Sequence, residues 1–96
     1  MPDYRLSTRA AADIAQIADY TIERFGIEQA RKYRDALEIC FTTLAGNALL
    51  GRSAAALAPH LRRFEHASHV IFYKPHHDGV LIVRVLHESM DAPSHL

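Results

Sequence analysis

The stretch Ser68–Met90, SHVIFYKPHHDGVLIVRVLHESM, decides the fold. It contains two apolar, β-branched runs, Val70–Tyr73 and Val80–Leu86, joined by the segment Lys74–Gly79. Because Pro, Asp and Gly are typical turn residues, the stretch predicts a β-hairpin with a loop of moderate length.

Arg84 is the charged exception within the second apolar run. A strand that is buried on both faces rarely carries a bare guanidinium, because desolvating that charge costs several kcal/mol unless it is paired. We therefore expect Arg84 either to have an acidic partner or to mark an open part of the sheet. The acidic candidates are Glu65, Glu88 and Asp91.

Length and composition predict one soluble globular domain spanning residues 1–96, with 49% hydrophobic and 23% charged residues. No run approaches the ~20 apolar residues that a membrane-spanning helix needs, and the N-terminus lacks the pattern of a signal peptide. Cys40 is the single cysteine, so an internal disulfide is impossible. We expect a cytoplasmic protein.

Charge is distributed unevenly, although the net charge of zero argues against a general nucleic-acid binder. The span 52–84 holds two acidic residues, five of the seven histidines, and the basic residues Arg52, Arg62, Arg63, Lys74 and Arg84. This end of the predicted sheet is therefore basic, and more so below about pH 6.5, where an ordinary histidine gains charge.

The first half of the chain predicts a short strand followed by two helices. Tyr4–Leu6 alternates like an edge strand, and Ser7 or Thr8 can cap a helix over Ala10–Phe25. Gly26 ends that helix, and a second helix follows over Glu28–Ala45 with an apolar stripe that contains Cys40. The short joint predicts an antiparallel helical hairpin.

The second half predicts a loop over Asn47–Pro59, a strand over Leu61–His66, the two strands of the hairpin, and an irregular tail after His87. The order β-α-α-β-β-β indicates a two-layer α+β domain, with the helical hairpin packed on one face of a small, mainly antiparallel sheet. With only two helices, we expect the other face to meet water or a partner, and we expect Phe64 or Tyr73 to lie on it.

Segments along nearly the whole chain resemble the ParE branch of the RelE/ParE toxin superfamily. They are Tyr4–Ser7, Phe25–Ala30, Leu49–Arg52, Leu61–Phe64, His69–Tyr73, Asp78–His87, Met90–Asp91 and His95–Leu96. The resemblance implies a toxin of a type II toxin–antitoxin system, in a hetero-oligomer with a ParD-like antitoxin. It also implies that the toxin binds DNA gyrase and stabilises its cleaved-DNA complex. The sister branch, similar to RelE, cuts messenger RNA on the ribosome.

A ribonuclease needs a base for the 2′-hydroxyl, an acid for the leaving oxygen and cations for the phosphorane. Arg63, Arg84 and His87 are the candidates for those roles, but the set is incomplete in a neutral protein. We therefore expect binding without turnover, and keep an mRNA endoribonuclease and a non-toxic binding module on the same fold as alternatives. We expect no cofactor, and no metal at the adjacent turn residues His76, His77 and Asp78.

Two sets of contact residues follow from these expectations. Candidates for contacting the target are Arg62, Arg63, Lys74, Arg84, His87 and Met90. Candidates for contacting the antitoxin, as an amphipathic helix or an added strand, are Ile17, Phe25, Leu50, Phe64 and Tyr73.

Overall fold

One five-stranded sheet, in the order β1-β5-β4-β3-β2, organises the computed structural model, which describes residues 2–96. The strands are β1 Tyr4–Leu6, β2 Arg52–Ser53, β3 Arg62–His66, β4 His69–His76 and β5 Gly79–His87. The helices are α1 Thr8–Phe25, α2 Ile27–Gly46 and α3 Ala92–His95. β1 runs parallel to β5, whereas the other neighbours are antiparallel. The predicted α+β class and element order are confirmed, with β2 and α3 as additions.

The helical hairpin covers one face of the sheet, as predicted. Ser7 caps α1 by accepting a hydrogen bond of 3.0 Å from the backbone N–H of Ala10. Gly26 joins the helices with φ at 90°, a conformation that favours glycine. Beneath the helices, the main core contains Leu37, Phe41, Leu44, Ile71, Tyr73, Val80, Ile82 and Val85.

The second face of the sheet is largely covered, so the expectation of an open face is wrong over that part. A second apolar cluster contains Ala54, Leu61, Val70, Phe72 and Leu86. Ala92 and Leu96 of the tail pack against this cluster, as does Ala58. The tail is therefore part of the fold, and the open part of this face lies toward the β4–β5 turn, where Lys74 is exposed.

Phe64 and Tyr73 both pack under the helices, contrary to the expectation that one of them faces outward. Tyr73 is 0% exposed and Phe64 is half-buried against the same core. The Tyr73 hydroxyl donates to the carbonyl of Ala48 at 2.9 Å and accepts the Gly51 N–H at 2.8 Å. It thereby fixes the segment that leads from α2 into β2.

The β4–β5 hairpin turns through two residues, His77 and Asp78, rather than through a loop of moderate length. The strands continue through Lys74 and Pro75, and β3 pairs with β4 only as far as Tyr73. Pro75 is tolerated because one edge of β4 is free beyond that point. Among residues 2–96, no helix is both long enough and apolar enough to cross a membrane.

Candidate functional site

Arg84 is paired with Asp13 of α1, a partner outside the three predicted candidates. Its Nε and Nη2 donate to the two Asp13 oxygens at 2.8 and 2.9 Å, and Nη1 donates to the carbonyl of His95. The hydrogen bond to Asp13 is the main cause that raises the pKa of Arg84. Arg84 therefore joins α1, β5 and the tail, and its guanidinium is not free to clamp a phosphate.

Arg62 also has a structural role in this conformation. Its guanidinium donates to the carbonyl oxygens of Gly51, at 3.0 Å from Nε, and Leu49, at 3.3 Å. These bonds hold the segment between α2 and β2 against β3. Leu50 lies in this segment, with 46% of its surface exposed.

The hydrogen-bonding groups of Arg63 have fewer partners than those of Arg62. Its guanidinium carbon lies 5.6 Å from the centre of the Phe72 ring, and one terminal nitrogen lies 3.8 Å from a Glu65 oxygen. The buried Nε has no hydrogen-bond partner among residues 2–96. Arg52 donates a hydrogen bond to the same Glu65 oxygen. Arg63 is therefore the cation of β3 whose N–H groups are incompletely paired.

His87 lies on the opposite face of the sheet from Arg63 and Arg84. Register places Arg63, Phe72 and Arg84 side by side on the second face. His87 pairs with His69 under the helical hairpin, and its Nδ1 accepts the Ser89 N–H at 3.1 Å. The structure therefore does not bring the three predicted ribonuclease residues together. Within the part of the chain that the structure describes, no cluster of His, Cys, Asp or Glu could hold a metal ion.

A groove of about 380 Å³ lies between α1 and the ends of β4 and β5. Its lining is mainly apolar and includes Ile17, Tyr20, His69, Val85, His87 and Met90. Tyr20 and Met90 are 57% and 46% exposed, although both are largely apolar side chains. The groove thus combines one predicted antitoxin contact, Ile17, with two predicted target contacts, His87 and Met90.

Histidines from three strands meet Tyr33 of α2 beside this groove. The Tyr33 hydroxyl lies 2.6 Å from Nδ1 of His69, and the rings of His66 and His87 flank that pair. Burial raises the pKa of Tyr33 to about 12, so this hydroxyl keeps its proton. Burial, followed by the charges of His87 and His66, lowers the pKa of His69.

The remaining predicted contacts are scattered. Phe25 is 65% exposed at the tip of the helical hairpin, whereas Lys74 lies near the β4–β5 turn. Tyr73 is buried, so it is not available for antitoxin contact in this conformation. Asp13 and Tyr20 were missed, because neither departs from the pattern expected of a partly exposed helix.

Comparison with known proteins gives the chain its family. Residues 4–92 match the family model described as the ParE toxin of the type II toxin–antitoxin system, parDE. Toxin ParE1 of Caulobacter vibrioides is 41% identical over 98 residues, covering 100% of this chain and 99% of that protein. Toxin ParE1 of Mycobacterium tuberculosis is 35% identical, covering 97% of this chain and 96% of the relative.

The fold agrees with a solved relative. The structure titled "Chromosomal ParDE TA system from P. aeruginosa" superposes with a TM-score of 0.75, at 21% identity, over 91% of this chain and 96% of that one. With the family match over nearly the whole length, the chain belongs to the ParE toxins of type II toxin–antitoxin systems.

Proposed function

We propose that this ParE-family chain inhibits DNA gyrase by binding it and stabilising its cleaved-DNA complex, without chemical turnover of its own. Family membership supports a toxin. The observation that favours binding over hydrolysis is that His87 and the pair Arg63 and Arg84 lie on opposite faces of one sheet.

The geometry argues against cleavage of RNA in two further ways. A catalytic cation must be free to stabilise charge that develops on the phosphate, and Arg84 already donates to Asp13 and to the His95 carbonyl. An acid or base must lie within hydrogen-bond reach of the reacting atoms, and strand register directs the His87 side chain to the opposite face from Arg63.

We propose further that a ParD-like antitoxin neutralises the chain. An amphipathic helix of the antitoxin would place its apolar side in the groove lined by Ile17, Tyr20 and Met90. The groove suits such a ligand because large, partly exposed apolar side chains line it. An antitoxin segment that folds only on binding would release the toxin once it is degraded.

Induced expression tests the function in cells that carry either ordinary gyrase or a drug-resistant gyrase. We expect fewer viable cells and broken DNA with the ordinary enzyme, protection or partial protection with the resistant one, and intact transcripts by primer extension. Full viability would indicate a non-toxic binding module. Transcripts cut at defined positions would indicate the ribonuclease instead.

A further inference from the structure

The open part of the second sheet face carries cations on β1, β4 and β3, with β5 lying between β1 and β4. Strand pairing places Arg5 of β1, Leu81 of β5 and Lys74 of β4 in one row. Arg63 of β3 lies diagonally from Lys74 on the same face, because it pairs with Phe72. Arg5 and Lys74 are exposed, and Leu81 between them is half-buried. We call Arg5, Lys74 and Arg63 the basic strip.

The spacing of the basic strip follows from sheet geometry. Arg5 and Lys74 are two strands apart, so their backbones are separated by about 10 Å. Lys74 and Arg63 are diagonal neighbours, with Cα atoms roughly 7–8 Å apart. The strip therefore presents separated positive charges on a flat surface with an apolar residue between them.

The charges of the basic strip are largely unpaired. Among residues 2–96, neither Arg5 nor Lys74 forms an ion pair, and the Arg63 contact with Glu65 is long, at 3.8 Å. Arg52 and Arg84 share this face, but Glu65 and Asp13 pair with them. The buried, unpartnered Nε of Arg63 is an additional donor without an acceptor.

Acidic residues border the strip at both ends without pairing with it. Asp3 and Asp78 line a hollow with Arg5 near the β4–β5 turn, and Glu88 and Asp91 of the tail border a hollow beside Arg63. Asp3 instead accepts the N–H of Tyr4 at 2.7 Å. A neutral protein with such a local strip is suited to weak contact with a short stretch of a polyanion rather than to binding along its whole length.

We propose that the basic strip binds the phosphate backbone of duplex DNA directly. Duplex DNA carries one negative charge per about 1.7 Å of its axis, so a strip roughly 10 Å wide faces several phosphates in any register. An acidic peptide would have to match the spacing of three fixed cations. One edge of β4 is free beyond Tyr73, but the strip itself consists of side chains on the sheet face, so it offers charge contacts rather than backbone pairing.

This inference rests on the proposed function only for the choice of DNA as the anion. A toxin that contacts the DNA held by gyrase would gain affinity for the complex that contains DNA over the enzyme alone. DNA binding by the purified toxin is measured without gyrase, so its absence would leave gyrase inhibition standing. Gyrase inhibition without any contribution from the strip would in turn leave the proposed function intact.

Fluorescence anisotropy with a labelled duplex oligonucleotide tests the proposal. We expect a dissociation constant on the order of 10⁻⁵ M at low salt. A plot of log affinity against log salt should have a slope of about −2.7, since each of three phosphate contacts contributes about −0.9. Lys74→Ala should lower the affinity several-fold and make the slope shallower by about 1.

Lys32→Ala is the matched control, because Lys32 is also an exposed lysine but lies on α2. It should leave both the affinity and the slope unchanged. The proposal would be overturned by no change in anisotropy at high toxin concentration, or by equal losses from Lys32→Ala and Lys74→Ala. It would also be overturned if a poly-glutamate peptide competed as well as unlabelled DNA, which would indicate an acidic protein partner.

Discussion

Asp13 of α1 and Arg84 of β5 are joined by two hydrogen bonds of 2.8 and 2.9 Å, although they lie 71 residues apart in the chain. One Asp13 oxygen also accepts the backbone N–H of Val85 at 2.9 Å, just beyond the residues of β5 that pair with β1. The Asp13 carboxylate thus accepts a backbone hydrogen bond from β5 where β1 has ended. Arg84 also donates to the His95 carbonyl, which links the tail to the same region.

Removing this carboxylate should destabilise the fold strongly. Asp13→Ala would leave the Arg84 guanidinium without its acid and the Val85 N–H without its acceptor, in a place where both side chains are mostly buried. We expect a loss of about 3 kcal/mol in the free energy of unfolding, measured by urea denaturation. Asp19→Ala, at an exposed position of the same helix, should change it little. Equal effects of the two substitutions would refute this role for Asp13.

Two glycines should respond oppositely to substitution by alanine. A Cβ on Gly51 would lie 2.4 Å from the Tyr73 hydroxyl and 2.6 Å from the Arg63 carbonyl oxygen, whereas a Cβ on Gly46 would meet nothing within 4 Å. Gly51→Ala should therefore destabilise the protein by about 2 kcal/mol or more. Gly46→Ala, at the end of α2, should stabilise it by about 0.5 kcal/mol.

Thermal or chemical unfolding of the two variants under one set of conditions checks this pair. A neutral Gly51→Ala variant would mean that the segment between α2 and β2 can move away from Tyr73. The hydrogen bonds of the Tyr73 hydroxyl would then not be the restraint that we infer.

Much of the fold was predictable because it depends on local patterns. Apolar periodicity predicts both helices, Gly26 marks their joint, and the runs on either side of Lys74–Gly79 predict the hairpin. β2 was missed because Arg52 and Ser53 form only a two-residue strand, which carries no alternation. The sequence did not indicate that the tail covers the second face of the sheet. Its two apolar contact residues, Ala92 and Leu96, show no helical or strand periodicity.

The candidate surfaces were harder to predict because they depend on which face each strand residue occupies. Arg84 and His87 fall on opposite faces because they are three residues apart in one strand, and the register shift between Phe72 and Tyr73 changes the alternation on the N-terminal side of Arg84. The partner of Arg84 lies on α1, and no local pattern in a single sequence links positions so distant. The sequence therefore shows which basic residues are present, but the strand register is needed to show which of them lie on the same face.

Stability should fall as the pH is lowered through the range in which histidine titrates. Burial, with His87 and His66, lowers the pKa of His69 in the folded protein, while Glu88 opposes this weakly. Below about pH 6.5 the unfolded chain takes up a proton that folded His69 resists, so the stability present at higher pH is lost as the pH falls.

The midpoint of thermal unfolding, measured from about pH 8 down to about pH 5, tests this pH dependence. His69→Gln should make the dependence shallower than in the unmodified protein. His76→Gln, near the β4–β5 turn and away from Tyr33, should leave it unchanged. Parallel curves for the two variants would show that His69 does not govern the effect.

A charge introduced into the groove should weaken antitoxin binding. Tyr20→Glu would place a carboxylate among the apolar groups that we propose to contact the antitoxin helix, and we expect at least a tenfold rise in the dissociation constant. Ile39→Glu is the matched control, since Ile39 is 67% exposed but lies outside the groove. Titration of each variant with a purified ParD-like antitoxin measures the difference. A stronger loss from Ile39→Glu would place the antitoxin elsewhere.

Supercoiling by purified DNA gyrase, measured as the chain is titrated in, tests most directly the claim that this protein acts by binding. We predict that supercoiling falls and that cleaved DNA accumulates after protein denaturation. Undiminished supercoiling with no cleaved DNA at toxin concentrations far above that of gyrase would contradict the account.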